Sequence, residues 1–213
     1  MLTRRHALVS TLALGLAAGL PASAAAPRRD NPMPEALRRD LERDPTAPVL
    51  GNPDGDITLT EFFDYNCQHC RKMPAVIQKL IAADPRLRIV YREWPIFGEG
   101  SEFAARASLA SLQQGKYWAL HTGLMAERGR IAEAAVLRVA RQAGLDVDRL
   151  RKDMEAPQVA RHIDLSQRLA DHMGIDGTPS FVAGDEAAFG AMSLGDLRAL
   201  VARARETLGV AAA

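Results

Sequence analysis

Two hydrophobic periods alternate along this chain, and the points where one replaces the other outline its elements. Residues Ile57 to Phe63 are β-prone and follow the turn-rich Gly51-Asn52-Pro53-Asp54-Gly55, which predicts a strand with Ile57, Leu59, Glu61 and Phe63 on one face. A helix is expected from the cysteines at Cys67 and Cys70 to Ala83, broken by Pro74 near its first turns. A second strand is expected from Leu87 to Glu93, ended by Trp94-Pro95. Strand, helix, strand is a βαβ unit and hence a parallel pair. From Ser101 to Met173 only the helical period is present, in stretches 101–114, 117–127, 132–143, 147–154 and 157–173, with Gly115, Gly129 and Gly144 at positions where helices end. Strand patterning returns over Phe181–Ala183 and Ala188–Met192, across a turn at Gly184-Asp185-Glu186. Ser193 with Asp196 resembles a capping box opening a helix to Leu208. The order is βαβ, helices, ββα: an α/β fold with a helical bundle inserted between its two sets of strands.

The N-terminus is a different material. Arg4 and Arg5 precede an apolar run from Ala7 to Leu20 and a small-residue stretch from Ala22 to Ala26, so residues 1–26 are expected to be a secretory signal peptide cleaved near Ala24. Thr3-Arg4-Arg5-His6-Ala7-Leu8 also fits a twin-arginine signal, and both export routes stay open. Residues 27–48 are polar and Pro-flanked, with a short helix from Pro34 to Asp44 on which Met33, Leu37 and Leu41 share a face, a linker or docking helix. At 213 residues, 47% hydrophobic and 25% charged, the chain suits one folded domain carrying an insertion. Its 27 basic and 26 acidic residues leave a net charge of +1, which supplies no field for nucleic acid or an anionic membrane surface.

Export to the oxidising periplasm changes how the chain's two cysteines, Cys67 and Cys70, are understood. Set between a strand and a helix, the pair can close into a small disulfide whose first sulfur meets the helix N-terminus. The helix dipole and free amides there stabilise a thiolate on Cys67, lowering its pKa from about 8.5 toward roughly 3.5–7.5. Cys67 is then the nucleophile and the shielded Cys70 the resolving thiol. His69, inside the motif, would favour the thiolate further. Glu61 puts a carboxylate on an otherwise apolar strand face. Buried there it would have a raised pKa and could relay the Cys70 proton through a water, whereas a register one residue off would leave it half-exposed. Gly177-Thr178-Pro179-Ser180 leads into a strand, and its X-Pro bond is cis or trans. The alternative is a copper- or zinc-binding dithiol, but two cysteines do not complete a structural zinc site, and His121, His162 and His172 are expected to be solvated helix residues. Trp94, Phe97 and Phe103 are expected in the core rather than on an apolar rim.

Taken with the order of elements, Glu61-Phe62-Phe63-Asp64-Tyr65-Asn66-Cys67 and Gly177-Thr178-Pro179-Ser180-Phe181-Val182 resemble the DsbA-like thiol-disulfide oxidoreductases of the thioredoxin superfamily, in the Com1/ScsC-like branch. The resemblance covers about Val49 to Leu208. It implies a thioredoxin fold in two parts, 49–100 with the cysteines and 174–213 with a cis-proline loop and final helix, separated by an inserted α-helical domain at 101–173. It implies a nucleophilic Cys67, a resolving Cys70, an acidic Glu61, and Thr178 with cis-Pro179 facing the disulfide, with no cofactor beyond the redox-active Cys67-Cys70 pair. The partners implied are unfolded or cysteine-containing exported proteins and a membrane redox-recycling protein. Gln68-His69 stands where DsbA itself has Pro-His, and Thr178 resembles the isomerases and reductases of the wider family rather than DsbA oxidases. The direction of electron flow and the oligomeric state stay open.

Overall fold

The structure, a computed structural model, describes residues 32–210. The signal peptide expected over residues 1–26, with its cleavage site and twin-arginine pattern, lies outside the described residues. Strands β1 (Val49–Gly51), β2 (Ile57–Phe63), β3 (Leu87–Glu93), β4 (Ser180–Ala183) and β5 (Glu186–Phe189) form one sheet in the order β1-β3-β2-β4-β5. β2 and β3 run parallel, with Glu61 opposite Tyr91 and Phe63 opposite Glu93, and every other neighbouring pair is antiparallel. The helices are α1 (Glu35–Glu42), α2 (Met73–Ala83), α3 (Glu99–Ser111), α4 (Tyr117–Ala126), α5 (Glu133–Gln142), α6 (Val147–Asp153), α7 (Pro157–Met173) and α8 (Leu194–Leu208).

Every residue of β2 and β3 is buried, as a parallel pair covered on both faces requires. On one face Leu59, Phe63, Ile89, Tyr91 and Phe181 join a core with residues of α2, α4 and α8. On the other, Phe62 and Val182 meet Leu41 of α1, Trp94, and Leu169 and Ala170 of α7. Helices α3 to α7 stand between β3 and β4 in the chain. α3 touches each of α4, α5, α6 and α7, and its buried Ala104, Ala107 and Ala110 let those neighbours come close.

Several local expectations are corrected. β1 was not expected at all. Its Val49, Leu50 and Gly51 pair with β3 before the turn begins, and Gly51 ends the strand at φ +71°. β5 starts two residues earlier than the apolar run suggested, because the turn is only Gly184-Asp185: Ala183 pairs with Glu186, and Gly184 takes φ +59°, which a glycine adopts without strain. The apolar run to Met192 misleads because the pairing ends just past Phe189: the Gly190 N–H still donates in register to the Pro179 carbonyl at 2.8 Å, but Pro179 has no N–H to return the bond. The cysteine segment begins as a single 3₁₀ turn, Cys70–Lys72, and Pro74 lies in the first turn of α2, where its missing N–H costs nothing. It marks a start, not a break. His121 and His162 are fully buried rather than solvated, and Phe97 is 44% exposed rather than in the core. The Met33, Leu37 and Leu41 stripe packs on its own domain, as expected of so short an apolar face.

Candidate active site

Cys67 follows a tight turn in which its N–H donates to the Asp64 carbonyl at 3.1 Å. Both cysteines are free thiols; Cys70 is wholly buried and Cys67 nearly so. The Cys70 N–H donates to Cys67 Sγ at 3.3 Å, and Cys67 Sγ donates to the Thr178 carbonyl at 3.2 Å, across the cis Thr178-Pro179 bond. Hydrogen bonding from the Cys70 thiol, helped by Thr178 and by the amides of Cys70 and His69, brings the Cys67 pKa down to about 6 against the opposing effect of burial. The Thr178 hydroxyl is buried with no hydrogen-bond partner. Burial and the bond to Cys67 push Cys70 the other way, far above an ordinary thiol. His69 contributes its amide, while its side chain is exposed to solvent.

Glu61 lies on the sheet face toward the cysteines, 2% exposed, with Oε2 unpartnered. Burial, and next the charge of Cys67, push its pKa up to about 8. Deeper on the same face Glu93 Oε1 accepts the hydroxyls of Tyr65 at 3.0 Å and Tyr117 at 2.9 Å. Burial holds this carboxyl well above the carboxylate range. His121 completes the cluster, with Nδ1 3.1 Å from the Tyr65 hydroxyl and its ring stacked on Trp118 at 5.3 Å. Burial takes its pKa down to about 3, so it is neutral and bears no charge into the core. His162 is spent likewise, Nε2 accepting the Glu93 N–H at 3.2 Å.

The loop ahead of Cys67 is held by two side chains that replace missing secondary structure. Asp64 Oδ1 accepts the Asn66 N–H at 2.6 Å and the Ser101 hydroxyl at 2.7 Å, while Oδ2 accepts the N–H groups of Ile96 at 2.7 Å and Phe97 at 3.1 Å. Asn66 behaves like a strand neighbour to Ile131, accepting its N–H at 2.7 Å and donating to its carbonyl at 3.2 Å. Gly100 makes room for that carbonyl, which lies 2.2 Å from where a Cβ would stand.

The family model for the DSBA-like thioredoxin domain matches residues 58–202, from β2 into α8. The chain belongs to that family. A thioredoxin-like oxidoreductase from Silicibacter pomeroyi is 55% identical, with a TM-score of 0.78 covering 79% of this chain and 98% of that one. The thiol-disulfide exchange protein alpha-DsbA2 of Wolbachia pipientis is 28% identical, with a TM-score of 0.73 over 79% of this chain and 91% of that one. The catalytic domain of Proteus mirabilis ScsC, 24% identical with a TM-score of 0.72 over 79% and 94%, shares the fold. Curated relatives are Na(+)/H(+) antiporters NhaA, such as one from Salinispora tropica, 29% identical over 135 residues that make up 62% of this chain. The chain spans about a fifth to a quarter of the length of these antiporters, 21% and 24% for the first two. Among the described residues no helix is long and apolar enough to cross a membrane.

In this DsbA-like chain, Cys67, Cys70, Glu61, Thr178 and Pro179 converge at one place, while the His69 ring stands apart from the sulfurs in solvent. Among the described residues no three His, Cys, Asp or Glu side chains group as metal ligands would. Sequence reasoning missed the Asp64–Asn66 latch and the Glu93–Tyr65–Tyr117–His121 cluster. Asp64 and Asn66 flank the motif as turn-type residues and were open to notice. Glu93 and His121 come together only through packing of α4 on the sheet.

Proposed function

We propose that this chain is an exported protein thiol–disulfide exchange enzyme in which Cys67 is the nucleophile, Cys70 the resolving thiol and Glu61 the group that takes the Cys70 proton. The observation that carries the reading is the unequal pair: Cys67 is brought to about 6 by hydrogen bonds that favour its thiolate, while Cys70 is buried and held protonated. The Cys67 thiolate attacks a partner disulfide, forming a mixed disulfide and expelling one partner thiolate, which takes up a proton. Cys70 then loses its proton through Glu61 and attacks Cys67 Sγ. The second partner thiolate leaves, so the partner disulfide gains two electrons and the Cys67–Cys70 dithiol becomes a disulfide. Run backward, the same steps oxidise a partner dithiol.

Thr178 and Pro179 form the wall against which the partner's chain is laid, with Thr178 supplying its carbonyl beside the attacking sulfur. Partners are cysteine-containing exported proteins, and a membrane redox protein resets the pair. The leader pattern of residues 1–26 supports export to the periplasm. A stabilised thiolate favours the reduced form, so the disulfide tends to pass outward to partners. Equilibration with glutathione tests this: a potential between about −270 and −120 mV, the range from thioredoxin to DsbA, is expected. Oxidation of a reduced substrate is assayed beside repair of a scrambled one, and no exchange in either assay would refute the reading.

A further inference from the structure

Beside the cysteine pair, Asn66, Gln68, Arg71, Phe97, Gly129 and Arg130 line a pocket of about 330 Å³. Asn66 and Gln68 are the immediate chain neighbours of Cys67, and Arg71 is the residue after Cys70, so the pocket is built from the segment that carries the reacting sulfur. It contains two cations. Arg71 donates through Nη2 to the Gly129 carbonyl, and Arg130 through Nη2 to the Phe97 carbonyl at 3.0 Å. Those partners are neutral, and Arg71 Nε is buried with no partner.

Arginines elsewhere in the fold contrast with these. Arg92, Arg138, Arg151, Arg203 and Arg205 each face a carboxylate within 3 Å. Glu127 feels the charge of Arg71 but is held chiefly by Arg138, through bonds at 2.6 and 3.2 Å. A guanidinium placed by a backbone carbonyl and lacking a carboxylate keeps donors free for a planar anion. Phe97, 44% exposed, supplies an apolar wall for the methylenes behind such an anion.

We propose that this pocket is a specificity subsite for an acidic side chain, an Asp or Glu close in sequence to the reacting cysteine of the protein partner. The proposal rests on the exchange function above and names a class of partner for it. Its physical role is selection: the two arginines offset the repulsion between an acidic partner segment and the Cys67 thiolate, and so admit disulfides flanked by carboxylates ahead of those flanked by lysines.

Three disulfide-bonded peptides of one sequence, with Asp, Ala or Lys beside the reacting cysteine, provide the test, their reduction by the full chain followed by quench and mass spectrometry. At low ionic strength the Asp peptide is expected to react about fivefold faster than the Lys peptide, and the ratio to fall as salt screens the pair. Arg130→Glu is expected to invert the order, a result that damage to the fold would not produce, and Arg71→Ala to bring the ratio toward unity. Equal Asp and Lys rates in the natural chain, or an Asp preference that persists in Arg130→Glu, would overturn the subsite while leaving the exchange function standing. Failure of the reduced chain to reduce any of the three peptides and of the oxidised chain to oxidise their dithiol forms, with Cys67 still alkylated normally, would overturn the exchange function and the subsite with it.

Discussion

Cys67 and Cys70 are the same side chain in one short motif, and what each sulfur touches makes them different. Because the Cys70 thiol is the leading cause of the low Cys67 pKa, Cys70→Ala is expected to move the Cys67 alkylation midpoint upward from about 6 by roughly a pH unit. Thr178→Val, which keeps the shape and removes the hydroxyl, should move it less; iodoacetamide rates against pH measure both. Glu61 predicts a second pH effect, on stability. Its folded pKa of about 8 lies above the ordinary 4.5, so its contribution is full below pH 4.5 and is lost as pH rises through 8. At about 1.4 kcal/mol per unit the loss is on the order of 5 kcal/mol at most. Glu61→Gln should therefore flatten the fall in melting temperature over that window. Cys67 acts oppositely in the reduced protein: its pKa is depressed from 9.0 to about 6, so its contribution is present above pH 9 and lost as pH falls through 6. Melting curves of the oxidised form, where Cys67 does not titrate, separate the two.

At the scale of elements, the segment between β2 and α2 carries the chemistry, yet it has little regular structure of its own. Asp64 supplies what a ladder would, with four hydrogen bonds from groups on three segments. Asp64→Asn turns one acceptor into a donor facing other donors, and is expected to cost about 3 kcal/mol in urea denaturation and to raise the Cys67 alkylation midpoint. The strands most legible in the sequence were β2 and β3, whose buried apolar runs have few rivals. β1 and β5 were missed or shifted because edge strands of three and four residues carry almost no periodicity, and their limits are set by partners on β3 and β4.

For the whole molecule, the N-terminal segment is tied in by buried charge. Arg92 Nη1 donates to Asp44 Oδ2 at 2.7 Å, and Arg92 Nη2 reaches the carbonyls of Asp40 and Leu41 at the end of α1, where the helix dipole is negative. Arg88 donates to the Glu42 carbonyl beside it. Removing one member leaves the others buried and unpaired, so Arg92→Met is expected to destabilise the fold by about 3–5 kcal/mol. Release of α1 should show as proteolytic cleavage near residues 32–48 at temperatures where the natural chain resists. Equal resistance would mean that Leu41 and its apolar neighbours hold α1 unaided.

Local chemistry was enough for the sequence to determine the cysteine pair, the proline loop, the capping box at Ser193 and Asp196, and the carboxylate face of β2, because each depends on residue type and short spacing. The family followed from their order. Only the tertiary structure decided which contacts stabilise the Cys67 sulfur, that His121 and His162 are neutral core residues, and that Arg71 and Arg130 share a pocket. Those outcomes depend on burial and on contacts between residues far apart in the chain, which no local pattern encodes.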